Sequence, residues 1–316
     1  MPSSAMQPRL ESVTCANPMG MHRMAYWEWG TPDNDQVVLC VHGLTRSGRD
    51  FDVLAQHLAG RYRVVCPDIV GRGHSDWLPA GAPYGFVQYV SDILTLLARL
   101  NPRRLVWVGT SMGGLIALSL LMGLKRLPAA HNDAGLGLPE NRCPQLHGLL
   151  LNDVGPEVDA AGLARIATYV AEPTSFADFE QAVQYVRTVA AGFGPHDEAQ
   201  WQALTRHVFV KQGDHYIKHY DLRIAEGLGV SVQPAVAEMM KAGLWQAYQD
   251  FQLPVLIVRG EHSDILPAEL AERMRLAQPR AQLAEFAGVG HAPTLMQADQ
   301  LVVAEAFVAA CMGAQS

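Results

Sequence analysis

The sequence is poor in charged residues and cysteines, and it has no basic cluster and no long apolar run. Charged residues make up 17% of its 316 residues and hydrophobic residues 49%, whereas a usual charged fraction is about 25%. This balance excludes a disordered chain. Because the net charge is −7, we expect no nucleic-acid partner of the usual basic kind. No apolar segment reaches the roughly 18 residues of a membrane span, so no membrane partner is expected either.

The five cysteines are widely spaced, and no Cys-x-x-Cys pair occurs among Cys15, Cys40, Cys66, Cys143 and Cys311. An odd count at such spacings indicates neither a disulfide framework nor a zinc site. The first 20 residues lack the basic start and apolar stretch of a signal peptide. Together these features predict a protein of a reducing compartment, the cytoplasm.

Six short runs are predicted to be strands, and the first five are nearly continuous in apolar residues: 36–43, 62–69, 104–110, 146–153, 253–260 and 281–288. Continuous rather than alternating apolar runs are typical of parallel strands buried on both faces. Helical patterns lie between them, at 49–59, 84–100, 112–125, 267–277 and 298–312. This alternation predicts a doubly wound, mostly parallel α/β sheet. The N-terminus adds an antiparallel hairpin that turns at Asn17-Pro18-Met19-Gly20.

Residues 155–245 interrupt this rhythm with helical periodicity and no long β run. We therefore predict a helical cap at 155–245, inserted into a core formed by residues 1–154 and 246–316. The insertion should cover the edge of the sheet at which the parallel strands end. A Gly/Pro/Asn-rich segment at 128–144 is predicted to be an exposed loop.

The strongest chemical signal is Gly109-Thr110-Ser111-Met112-Gly113-Gly114. It follows a predicted strand and opens a predicted helix, which is the context of a nucleophile elbow. Glycines are needed there because larger residues would clash where the turn closes. Ser111 is therefore the predicted nucleophile.

A serine nucleophile needs a base, and the base needs an orienting acid. His291 follows the last predicted strand, and Asp264 follows the strand before it. The chain order Ser111, Asp264, His291 matches that of hydrolases built on this sheet. Asp264 could instead cap a helix, and Asp153 and Glu261 remain alternative acids.

The oxyanion of a tetrahedral intermediate needs backbone N–H donors. One is predicted at Met112, beside the nucleophile, and the other at Leu44, in the loop after the first parallel strand. His42 precedes that loop and is predicted to orient it rather than to act as a base.

These motifs resemble those of the α/β-hydrolase superfamily, in particular the carboxylesterase and enol-lactone hydrolase branch. The resemblance covers about residues 25–125 and 250–312 and is carried by HGLTRSGRDF, PDIVGRGHSD, GTSMGG, RGEHSD and GVGHAP. It implies a Ser-His-Asp hydrolase that forms an acyl-enzyme and uses no cofactor. A serine at position 111 departs from relatives that attack through a carboxylate, such as haloalkane dehalogenases and epoxide hydrolases. The HGLT loop departs from the HGGG of the hormone-sensitive-lipase branch.

Substrate contacts are predicted from aromatic residues of the insertion, chiefly Tyr169, Phe176, Trp201 and Trp245. Such residues also form the core of any small helical unit. A second group of candidates comprises Leu44, Met112, Phe179 and Phe209. His207, His215 and His219 lie close in sequence but are interpreted as surface imidazoles, so no metal is predicted.

The function predicted from these residues is hydrolysis of uncharged or weakly polar carboxylic esters of short to medium acyl chain. A lactonase or polyester hydrolase is the alternative, since either substrate presents the same carbonyl. A catalytically silent ligand-binding protein on this scaffold is a third hypothesis.

Overall fold

The computed structural model describes residues 7–125, 146–229 and 234–313. Eight strands form one sheet: β1 (Arg9–Asn17), β2 (Gly20–Trp29), β3 (Gln36–Val41), β4 (Arg63–Pro67), β5 (Arg104–Thr110), β6 (Leu146–Asn152), β10 (Val255–Gly260) and β11 (Ala281–Phe286). Their order is β1-β2-β4-β3-β5-β6-β10-β11. The pairs β1/β2 and β2/β4 are antiparallel and the other pairs are parallel. The predicted mostly parallel sheet and its N-terminal hairpin are therefore confirmed, whereas the predicted loop at 128–144 lies outside the described residues.

Helices cover both faces of the sheet: α1 (Asp52–Leu58), α2 (Phe86–Leu100), α3 (Met112–Lys125), α9 (Ala268–Ala277) and α10 (Ala298–Met312). The alternation of side chains along a strand supplies both faces. In β3, Val37 and Leu39 join the core cluster that contains residues of α2 and α3, whereas Val38 and Cys40 join the cluster that contains residues of α1 and α10. Burial on both faces explains why these strands are apolar throughout rather than alternating. Within the described residues, no helix combines the length and apolarity needed to cross a bilayer.

The inserted segment between β6 and β10 contains α4 (Ala160–Val170), α5 (Phe179–Val189), α6 (Glu198–Arg206), α7 (Glu226–Gly229) and α8 (Pro234–Gln249). It also contains a small antiparallel sheet of order β7-β9-β8, from β7 (Ser175–Phe176), β8 (Phe209–Gln212) and β9 (His215–Lys218). This sheet is not predicted from the sequence because its strands have two to four residues, too few for a periodicity to show. Helix α8 also runs across the predicted boundary at 245.

The insertion contacts the loops that follow the parallel strands. The Gly290 N–H donates to the Gly192 carbonyl, the Arg46 guanidinium donates to the Leu204 carbonyl at 2.9 Å, and the His196 ring contacts the Thr294 hydroxyl. Three separate parts of the insertion are thus attached to the edge of the sheet at which the predicted site residues lie.

Candidate active site

Ser111 lies at the sharp turn between β5 and α3, with a left-handed φ of +52°. Few residues other than glycine adopt this conformation without strain. The turn is tight: a Cβ added to Gly113 would lie 1.9 Å from the Val41 carbonyl oxygen, and one added to Gly109 would lie 2.5 Å from the Gly114 nitrogen. The glycines that the sequence analysis singled out are therefore sterically required.

The Ser111 hydroxyl lies 3.0 Å from Nε2 of His291, and Nδ1 of the same ring lies 2.8 Å from Oδ2 of Asp153. Since a carboxylate accepts, Nδ1–H donates to Asp153, and Nε2 is left to accept from the serine hydroxyl. The structure thus joins Ser111 and His291 as the sequence predicts. The carboxylate at the end of this chain of contacts is Asp153, the alternative acid, and the placement of Asp264 there is wrong.

Asp153 directly follows β6, is fully buried and has a left-handed φ of +58°. Besides His291, its carboxylate accepts from the Gly260 N–H at 3.0 Å and from the Ser263 hydroxyl at 2.6 Å. Ser263 in turn accepts from the Leu266 N–H at 3.0 Å. The RGEHSD motif therefore supplies donors that hold the acid, and it does not supply the acid itself. Ser263 was missed because nothing in the sequence showed which carboxylate it would face.

Asp264 lies on the same loop as Ser263, but its carboxylate is bonded to an arginine and not to the imidazole. Its two carboxylate oxygens accept from Nε and Nη2 of Arg165, on α4, at 2.5 and 2.9 Å. The pair is exposed, with 41% and 38% of the two side chains accessible. The hydrogen bonds from Arg165 lower the pKa of Asp264 below its usual value. Asp264 therefore joins the insertion to the core instead of orienting the imidazole. Glu261, the other alternative acid, accepts from the Gly288 N–H.

Asn152 connects the serine turn to the histidine loop and was not identified from the sequence. Its side-chain amide donates to the Thr110 hydroxyl at 3.0 Å and to the Pro293 carbonyl at 2.8 Å. Its backbone carbonyl accepts from the Ser111 N–H at 2.9 Å. This buried residue ties together the two turns that carry the nucleophile and the imidazole.

The loop after β3 is held from two sides. The His42 ring donates from Nδ1 to the Gly43 carbonyl at 2.7 Å and accepts at Nε2 from the Ile69 N–H at 2.9 Å. Burial lowers the pKa of His42 to about 4, so the ring stays neutral and orients the loop, in the role that the sequence predicts. The buried Arg72 guanidinium donates to the Leu44 carbonyl at 2.9 Å and lies 3.6 Å from the Met112 sulfur.

Arg72 thus contacts both residues predicted to donate to an oxyanion. Met112 is also the first residue of α3, and a backbone N–H at that position has no acceptor within its helix. The oxyanion site formed by the Leu44 and Met112 N–H groups stays a prediction.

Ser111 and His291 line a cavity that is partly open to solvent. The insertion supplies much of the wall, through Arg165, Tyr169, Tyr185, Phe193, Phe209, Lys218 and Tyr220. Of the four chief aromatic candidates for substrate contacts, only Tyr169 lines the cavity, and Leu44 and Phe209 of the second group also do.

Phe176, Trp201 and Trp245 do not line the cavity. Phe176 packs on Tyr185 and Phe209, with ring centroids 5.3 and 5.4 Å apart. Trp201 packs against a histidine ring at 5.2 Å, and Trp245 lies under an arginine guanidinium at 4.5 Å. Phe176 and Trp201 therefore belong to the packing of the insertion, whereas Trp245 packs against Arg273 of α9, in the core. Phe179 likewise packs on Tyr216, and Met112 is buried behind the cavity.

Within the described ranges, one group of three side chains has metal-ligand geometry: Cys15, His22 and Asp92, whose ligand atoms lie within 4.8 Å of one another. The group is already hydrogen bonded: the His22 ring contacts the Asp92 carboxylate at 3.0 Å, and the Cys15 thiol points to the Asp92 carbonyl. Burial raises the pKa of Cys15 to about 12, which keeps the thiol protonated and a poor ligand. These contacts attach the N-terminal hairpin to α2.

Of the three histidines interpreted as surface imidazoles, His215 is exposed, whereas His207 and His219 are partly buried.

The fold and the serine–imidazole–carboxylate contact define the class. A model of the α/β hydrolase family matches residues 38–306, and the chain belongs to this family. Over 304 residues, 95% of the chain, it is 42% identical to a 3-hydroxybutyrate-oligomer hydrolase of Cupriavidus necator, of which it covers 97%. It is 25% identical to a pimeloyl-[acyl-carrier protein] methyl ester esterase of Xanthomonas oryzae over 281 residues, 86% of the chain and 95% of the esterase.

Among solved structures, an α/β hydrolase from Novosphingobium aromaticivorans superposes with a TM-score of 0.79 at 30% identity, over 96% of this chain and 99% of that one. The family resemblance read from the motifs is therefore confirmed, and the names of the sequence relatives support its esterase-like branch.

Proposed function

We propose that the protein is a serine hydrolase that cleaves short oligoesters of hydroxy acids through an acyl-enzyme. The observation that carries this proposal is the continuous contact from Ser111 through His291 to the buried Asp153, at the wall of a cavity open to a small molecule. A serine, an imidazole and a buried carboxylate in this geometry are the parts of a catalytic triad.

In this mechanism, Ser111 Oγ attacks the ester carbonyl while His291 Nε2 takes its proton. Asp153 holds Nδ1–H, which fixes the tautomer and stabilises the imidazolium that forms. The Leu44 and Met112 N–H groups donate to the oxyanion of the tetrahedral intermediate. His291 then protonates the departing alkoxide, and the ester bond breaks to leave the acyl group on Ser111. Water repeats the cycle, which releases the acid and restores the serine.

The name of one relative favours an oligoester over a simple short-chain ester. The relative that matches nearly the full length carries the name of a hydrolase of 3-hydroxybutyrate oligomers. The polyester-hydrolase alternative is therefore preferred to a general carboxylesterase of short and medium acyl chains, and residues 155–245 act as a cap that forms the wall around the oligomer.

We also place the protein in a reducing compartment, the cytoplasm. Support comes from Cys15, Cys40, Cys66 and Cys311, the four cysteines within the described ranges, which are all free and buried. Thiols of this kind persist unpaired where thioredoxin and glutathione keep them reduced.

The test is hydrolysis of a 3-hydroxybutyrate trimer, a chromogenic aryl butyrate and a small lactone by the wild-type protein and by Ser111→Ala. Loss of the nucleophile should lower kcat on the trimer by at least about 10⁴-fold. Ser119→Ala, at the serine of α3, is the matched control and should leave kcat unchanged.

Equal rates for wild type and Ser111→Ala would overturn the catalytic assignment and favour the ligand-binding hypothesis. If the lactone has a kcat/KM orders of magnitude above that of the trimer, the protein is a lactonase. If the aryl butyrate leads by a similar margin, it is a general carboxylesterase.

A further inference from the structure

Lys218, the last residue of β9, places an ammonium group in the buried part of the cavity wall. The residue is only 6% exposed and lines the same cavity as Ser111. Its Nζ donates to the backbone carbonyls of Tyr169 and Glu172, at 2.6 Å each. An ammonium group carries three donors. No third acceptor lies within bonding distance of Nζ in the parts of the chain that the structure describes, so one N–H stays available.

The other two cations of the cavity wall are already neutralised. Arg46 donates two hydrogen bonds to the Asp50 carboxylate, at 2.6 and 2.7 Å. Arg165 donates two to Asp264. Among the described residues, no carboxylate lies within ion-pair distance of the Lys218 ammonium. Lys218 is therefore the cation of this wall that can accept an anionic ligand without first losing a protein carboxylate.

The surroundings of Lys218 favour an anion but do not fully compensate its charge. The rings of Tyr185 and Tyr220 have their centroids 5.7 and 5.6 Å from Nζ, so their faces attract the ammonium but supply no net negative charge. Burial lowers the pKa of Lys218 to about 8. A buried ammonium with an unused donor gains most from a ligand that is itself charged.

We propose that Lys218 binds the free terminal carboxylate of the substrate, so that the protein selects ester acids over neutral esters. The inference rests on the proposed function, because it concerns the cavity that Ser111 opens onto. Every oligomer of a hydroxy acid ends in a carboxylate, which is ionised near neutral pH. Binding of this end at Lys218 sets the position of the ester carbonyl relative to Ser111. The ester bond that is cleaved then lies at a set distance from the carboxyl end of the substrate oligomer.

A purely structural role makes a different prediction. Tyr169 and Glu172 lie at the C-terminal end of α4, where lysine side chains commonly bind the last carbonyls. If Lys218 only holds that helix end, its loss affects charged and neutral substrates equally. The two roles are therefore separated by the charge of the substrate.

The experiment compares a 3-hydroxybutyrate dimer with its primary carboxamide, which keeps the ester and the shape but removes the charge. A hydrogen bond to a charged group, at about 1.5–3 kcal/mol, corresponds to roughly a 10–150-fold effect. Lys218→Met should lower kcat/KM for the dimer acid by about that factor, mainly through KM, and for the carboxamide by less than about threefold. Lys211→Met, an exposed lysine of β8 in the same small sheet, is the matched control.

Equal losses for acid and carboxamide, or no loss for either, would overturn the proposal. A charge-selective loss in Arg165→Gln but not in Lys218→Met would overturn it in favour of Arg165. If Lys218→Met does not fold, wild type decides: 3-hydroxybutyrate should inhibit at least about tenfold more strongly than 3-hydroxybutyramide, and equal inhibition constants would refute carboxylate binding. Failure of the hydrolase assignment would be distinguished from failure of this proposal, because Ser111→Ala would then retain activity.

Discussion

The ends of β6 and β10 carry one aspartate each, and the two environments differ sharply. Asp153 is fully buried and accepts from the His291 ring, a backbone N–H and a hydroxyl. Asp264 is 38% exposed and accepts from a single guanidinium. An orienting acid is thus distinguished by the fixed hydrogen-bond donors around it. A carboxylate that is free to meet a long, flexible cation serves instead as a contact between two parts of the chain.

The largest expected difference is between Asp153→Asn and Asp264→Asn. An amide at 153 donates where the imidazole needs an acceptor, which favours the wrong tautomer, and kcat should fall by about 10⁴-fold. The same change at 264 breaks an exposed ion pair and should alter kcat by less than about tenfold. Steady-state kinetics on the 3-hydroxybutyrate trimer measure both. A larger loss at 264 than at 153 would restore the acid predicted from the sequence.

The next effect concerns the residues that hold the acid and the two turns. Ser263→Ala removes a donor to the Asp153 carboxylate, and Asn152→Ala removes the link between the Ser111 turn and the histidine loop. Each should lower kcat by roughly 10–100-fold with little change in KM, since hydrogen bonds to charged or buried groups are lost. Ser175→Ala, on an exposed strand residue of the insertion, is the control. A rise in KM at constant kcat would assign these residues to substrate binding instead.

A smaller effect of pH is expected on the preference for ester acids, because the charge of Lys218 depends on pH. Burial lowers the pKa of its ammonium to about 8, so the group loses its charge as pH rises through that region. The groups facing it are Glu172, Tyr169, Tyr185 and Tyr220; burial raises the pKa values of all three tyrosines, and they stay neutral below pH 9. A bound carboxylate raises the lysine pKa, so the preference for ester acids is strongest below pH 8.

The ratio of kcat/KM for the dimer acid to that for its carboxamide measures this preference, because pH effects on the shared chemical step cancel between the two substrates. The ratio should fall by about tenfold between pH 7 and pH 10. A ratio that stays constant over this range contradicts a titrating anion site.

The smallest effect belongs to the Arg165–Asp264 pair. Exposed ion pairs contribute about 0.2–1 kcal/mol, so a double-mutant cycle of Arg165→Gln and Asp264→Asn should give a coupling free energy of unfolding in that range. Because the pKa of Asp264 is lowered in the folded protein, the coupling is present above the unfolded pKa of about 3.9 and is lost as pH falls through the lower folded value. Urea unfolding at pH 7 and in 1 M salt measures it, and salt should reduce it. A coupling above 2 kcal/mol would contradict this view of the pair.

The helices and strands of the core were predictable because each has a local cause. Apolar runs such as 104–110 are buried on both faces, and the glycines around Ser111 are required by contacts within a few residues or with the adjacent strand. His291 was found for a similar reason, since it follows the last strand. The strands of the insertion were not found, because sheets of such short strands are stabilised by packing and leave no period in the sequence.

The aromatic residues of the insertion show the same limit. Tyr169 and Trp201 have equivalent helical settings in the sequence, yet one lines the cavity and the other is packed against a histidine ring. The hydrophobic effect buries both, and it does not depend on whether the neighbouring surface is a pocket or a core. Only the relative placement of α4 and α6 separates the two outcomes.

The sequence by itself determined the sheet, the serine turn and the histidine, because short-range sterics and apolar burial act on neighbouring residues. Which carboxylate faces the imidazole was decided by tertiary structure alone. β6 and β10 are adjacent parallel strands, so both deliver an acid to the same edge, and the order of residues along the chain does not distinguish them. Hydrogen bonds from Gly260 and Ser263 hold the Asp153 carboxylate in place beside the imidazole. Asp264 is instead bound by Arg165, from nearly 100 residues earlier in the chain.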